Sequence, residues 1–103
     1  METRTIKEKP LLKKLGKFIK VENTESRNGC GSAPNQFVLT FEKGEVFQSY
    51  KSLIGVKFNG EYYFSGLHSY SNTTSAHTTR WCGYDAKERR KGLENGTFIK
   101  IVD

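Results

Sequence analysis

The chain has 103 residues, 35% of them hydrophobic, and carries 17 Lys and Arg against 11 Asp and Glu for a net charge of +6. That length allows one core and excludes a second domain, and no run nears the roughly 20 apolar residues that cross a bilayer. The N-terminus has no apolar signal segment, so a cytoplasmic protein with Cys30 and Cys82 as reduced thiols is expected.

The charge is unevenly placed. In the first twenty residues Arg4, Lys7, Lys9, Lys13, Lys14, Lys17 and Lys20 face only Glu2 and Glu8. Such a concentration attracts an acidic partner, of which nucleic acid or a nucleic-acid-loaded protein is the usual kind. Leu11, Leu12 and Leu15 share a helical face, Pro10 suits a first turn and Gly16 a helix end. Lys17 to Glu22 then reads as a short strand. Residues 1–22 are expected to be a basic N-terminal arm or a short amphipathic helix.

Residues 23–35, Asn-Thr-Glu-Ser-Arg-Asn-Gly-Cys-Gly-Ser-Ala-Pro-Asn, are turn formers almost throughout and predict a flexible loop. Residues 36–103 read as a single α+β domain. Gln36 to Phe41 places Phe37, Leu39 and Phe41 on one face of a strand. Val46 to Tyr50, Leu53 to Phe58 and Glu61 to Ser65 continue an antiparallel β-meander of about four strands, with Asn59-Gly60 as its strongest hairpin signal. A C-terminal helical pair follows. Ser71 to Thr73 can cap a helix that Gly83 stops, and Asp85 with Glu88 forms a capping box for a second helix ending at Asn95-Gly96. Thr97 to Val102 predicts a closing strand.

Two runs in this region, Phe47-Gln48-Ser49-Tyr50-Lys51-Ser52-Leu53-Ile54 and Tyr70-Ser71-Asn72-Thr73-Thr74-Ser75, with Asn35-Gln36-Phe37 upstream, carry a resemblance. They resemble the Phe-Gln-Ser-Tyr-x-Ser-x-Ile and Tyr-Ser-x-Thr-Thr-Ser motifs of a family of small uncharacterised tailed-phage proteins. The resemblance covers about Asn35 to Val102 and leaves Met1 to Lys20 outside it. It implies a phage accessory protein with no assigned activity, so no catalytic residues carry over.

Cys30, His68, His77 and Cys82 are all metal-ligand types, but no Cys-x-x-Cys is present and the spacing is poor. Cys82 beside Trp81 reads as a small buried hydrophobe. No cofactor, metal or catalytic group is expected.

The binding candidates are basic: Lys13, Lys14, Lys17 and Lys20 in the arm, and Arg80, Lys87, Arg89, Arg90 and Lys91 near the C-terminus. Lys87, Arg90 and Lys91 fall on one helical face, and with the arm they are expected to form one positive surface. Tyr50, Tyr63 and Tyr70 are candidates for stacking or polar contact. The expected function is a non-enzymatic, anti-CRISPR-like phage or mobile-element protein. Its partner would be a host defence nuclease or nucleoprotein complex, with guide RNA as part of the target. The alternative is direct nucleic-acid binding through the basic arm and exposed aromatics.

Overall fold

The computed structural model describes residues 3–25, 32–69 and 71–102. The described elements run β1 (Arg4–Lys7), α1 (Glu8–Lys14), β2 (Phe18–Glu25), β3 (Ser32–Phe41), β4 (Gly44–Ser49), β5 (Ser52–Phe58), β6 (Glu61–Phe64), α2 (Asn72–Cys82), α3 (Ala86–Asn95) and β7 (Ile99–Val102). The strands form one seven-stranded sheet in the order β1-β7-β6-β5-β4-β3-β2. No helix among the described residues is long and apolar enough to cross a membrane.

The α+β class stands, but the meander is longer than the four strands expected. β2 joins it, so β2 to β6 pair antiparallel in succession. The turn between β5 and β6 puts Asn59 at φ 54 and Gly60 at φ 78. Two successive positive φ values are what a two-residue hairpin with the native twist requires. After β6 the chain returns parallel to it as β7, which demands a crossover, and α2 and α3 supply it. β1 then lies parallel on the far side of β7.

Both helix ends read from the sequence are present. Ser71 accepts from the Thr74 amide at the start of α2, and Asp85 and Glu88 form the reciprocal capping box of α3. Gly83 and Gly96 close the two helices.

Strand alternation splits the side chains into two layers. One layer joins Val46, Val56, Tyr63, Ile99 and Ile101 to Leu11 of α1 and to Leu15, its C-cap. The other joins Phe64 and Phe98 to Cys82, with Tyr62, Trp81 and Leu93 packed around them. Trp81 stacks on Phe47 at 5.6 Å and donates its indole N–H to Glu45 at 3.2 Å. It lies so close to the sheet that a Cβ on Gly55 would sit 2.7 Å from its ring.

Of the two alternatives for the N-terminal segment, the short helix is present as α1, while β1 is a sheet strand and Leu11 of α1 and its C-cap Leu15 are fully buried. Their spacing of four residues puts both leucines on the face turned to the sheet. The expected loop over residues 23–35 is also shorter than its composition suggested, because β2 extends to Glu25 and β3 begins at Ser32. The centre of that loop, residues 26–31, lies outside the described residues.

Candidate functional site

The densest polar constellation surrounds Arg89, which is 0% exposed. Its position on α3 explains why. Ala86, Arg89 and Leu93 fall three and four residues apart, so the guanidinium grows from the helix stripe that faces inward. From there it reaches three neighbouring segments. Nε donates to Nδ1 of His68 at 3.0 Å, and Nη2 donates to the His68 carbonyl at 3.0 Å and to Ser75 Oγ at 3.0 Å. Nη1 donates to Thr79 Oγ1 at 2.9 Å and to the Tyr84 carbonyl at 2.6 Å.

Five N–H groups thus meet five acceptors, which is the full donor capacity of the side chain. None of the acceptors is a carboxylate. The charge is offset instead by two carbonyl oxygens, two hydroxyl oxygens and one imidazole nitrogen.

This arrangement sets the chemistry of its neighbours. Burial, then the charges of Arg89, Arg90 and Lys100, pushes His68 down to about 4, so its ring is neutral and its Nδ1 is an acceptor. Burial pushes the Cys82 thiol up, which keeps it protonated and a poor nucleophile. Among the described residues no three His, Cys, Asp or Glu side chains group as a metal site. Cys30 lies outside them.

The predicted contact residues now separate. Lys87, Arg90 and Lys91 are exposed on the outer side of α3, and none of them is ion-paired among the described residues. Arg89 is the correction: it stands in the same basic run but points into the protein, so it is unavailable to a partner. Arg80 is exposed on α2 and has a partner of its own. Lys13 and Lys14 are exposed on α1, which packs on the opposite face of the sheet from α3. Lys17 is exposed in the α1–β2 connection, where its backbone N–H donates to Glu42. Lys20 on β2 pairs with Glu22 at 3.1 Å. The expected continuous positive surface is therefore divided in two by the sheet.

The aromatic candidates fare unevenly. Tyr63 is buried at 6% exposure against Phe58 and the α1 layer, and so offers no stacking face. Tyr50 is half-exposed in the turn after β4, at φ 57. Tyr70 lies outside the described residues.

Sequence reasoning missed a groove of about 720 Å³ beside α1. Its apolar floor includes Leu12, Leu39, Phe41, Leu53 and Ile101, and Glu8, Lys51 and Lys100 stand around it. It arises because α1 has only seven residues and covers part of a seven-stranded face. The His68–Arg89 pair was also missed, although the Ala86–Arg89–Leu93 spacing carried a signal for it.

No curated protein and no solved structure matches the chain. The family match begins at Leu11, the first buried leucine of α1, so the core half of the N-terminal helix lies inside the family unit. With residues 11–96 matched, the chain belongs to a family of unknown function, DUF8033.

Proposed function

We propose that this chain is a non-catalytic phage or mobile-element protein that inhibits a host defence nuclease or its nucleoprotein complex. It docks through the exposed cations of α3. The observation that supports this most is the pairing of display with anchorage. Lys87, Arg90 and Lys91 stand exposed and without carboxylate partners among the described residues, on a helix fixed by a capping box and by the buried Arg89. A helix already fixed in place adds no backbone-ordering cost when its cations meet a polyanion, leaving only the cost of ordering the side chains themselves.

The buried groups fit binding rather than catalysis. His68 is occupied by Arg89 and the Cys82 thiol is held protonated. Direct nucleic-acid binding is the less favoured reading, because Tyr63 is buried and the lysines of α1 lie on the other face. The phage setting rests on the resemblance of the Phe47–Ile54 and Tyr70–Ser75 runs alone.

The test is capture with tagged protein from bacterial lysate, with and without nuclease, followed by assay of the captured complex. One nuclease complex that survives nuclease treatment and moderate salt, and is inhibited by the protein, is the expected result. Heterogeneous nucleic acid, lost on nuclease or salt, would instead mark a direct nucleic-acid binder.

A further inference from the structure

β2 is the outermost strand at the end of the sheet opposite β1, and among the described residues it pairs only with β3. An open edge is ordinarily blunted, because its free backbone groups invite another strand. This edge carries two irregularities and the charged Lys20 and Glu22, but it also exposes an apolar run. Phe18, Ile19 and Val21 are 51%, 58% and 52% exposed, and they account for half of the six large hydrophobics exposed among the described residues. The ladder with β3 is irregular near Ile19 and Thr24 but regular from Lys20 to Asn23.

The charges on that regular stretch are self-complementary. Lys20 and Glu22 flank Val21 with opposite signs, both largely exposed. Two copies of β2 laid antiparallel about a two-fold axis at Val21 set Lys20 of each copy opposite Glu22 of the other. Parallel, in-register pairing would instead put like charges side by side.

We propose that the protein self-associates as a two-fold dimer through antiparallel pairing of β2 centred on Val21. The occupant of this edge is therefore a second copy of the chain. Each antiparallel cross-strand pair keeps both side chains on one face. The intrachain Lys20–Glu22 contact thus becomes a ladder of four alternating charges, while Val21 meets its own copy on the other face. Pairing of this kind is isologous, closes on itself, and removes the edge. β7, which α3 packs beside, lies towards the other end of the sheet, so both α3 cation faces stay open.

Charge reversal tests the register. Light scattering coupled to size-exclusion chromatography should give a dimer for the native chain. Lys20→Glu or Glu22→Lys alone sets like charges opposite each other and should weaken the dimer about tenfold or more, a factor equal to about 1.4 kcal/mol. The double reversal Lys20→Glu/Glu22→Lys should restore it. These sites are exposed, and circular dichroism checks that each variant is folded. Val21→Cys should form an intermolecular disulfide on oxidation beyond any background from the native thiols, since paired strands bring the two Cα atoms within disulfide reach. A monomeric native chain overturns the proposal, as does a dimer indifferent to the single reversals or not restored by the double one.

Discussion

Arg89 donates its Nε–H to Nδ1 of His68 at 3.0 Å and, with the Nη2 bond to the His68 carbonyl, joins α3 to the connection between β6 and α2. The Nε–H bond needs a neutral imidazole. A second proton on the ring would turn the acceptor into a donor and set two buried cations against each other.

Stability should therefore fall on mild acidification. The unfolded histidine titrates near 6.5 and the folded one at about 4, so between those values the unfolded chain binds more protons. The contribution is complete above pH 6.5 and is lost as the pH drops from 6.5 towards 4, to an upper limit of about 3 kcal/mol. Thermal unfolding at a series of pH values measures it. His68→Asn, which keeps an acceptor but cannot titrate, should flatten the profile in that window.

Arg89 and Arg90 should respond oppositely to one conservative change. Arg89→Lys keeps the charge but cannot reach five acceptors, and should cost about 2–4 kcal/mol in urea denaturation. Arg90→Lys, on the exposed side of α3, should stay within about 0.5 kcal/mol of the native chain.

The N-terminal segment should behave as core. Leu11→Ala and Leu15→Ala, at fully buried positions, should each cost about 2–5 kcal/mol. Removing residues 1–20 deletes β1, α1 and the first three residues of β2 and should abolish the cooperative unfolding transition. A shortened chain that unfolds cooperatively at the native midpoint would restore the idea of a detachable arm.

Gly55→Ala should be destabilising despite adding only a methyl group. The new Cβ would lie 2.7 Å from Trp81, and displacing that ring should cost about 1–3 kcal/mol. A shift in tryptophan fluorescence should accompany the loss, since Trp81 is the sole tryptophan of the chain.

Local signals carried the middle and end of the fold well. The Asn59-Gly60 hairpin, the Ser71 cap and the Asp85–Glu88 box depend on residues a few positions apart, and all three are present. What escaped depends on distant partners. β1 is a four-residue basic strand that gains its place only by pairing with β7, some ninety positions later in the chain. Lys17 to Glu22 reads as a short strand, but its place in the sheet follows only from its pairing with β3. The basic C-terminal run shows the same limit at the site. Its charge was plain, but a count of cations does not separate Arg90, which faces out, from Arg89, which faces in. Only the helical stripe shared with Ala86 and Leu93 makes that distinction.

The central claim is that the outward cations of α3 carry target binding, and charge reversal there tests it most directly. Lys87→Glu/Arg90→Glu/Lys91→Glu should leave the unfolding transition nearly unchanged and abolish capture of the nucleoprotein complex. The matched reversal Lys13→Glu/Lys14→Glu on α1 should reduce capture little. A triple variant that still captures its target at native strength, or an α1 variant that alone loses it, would contradict the account.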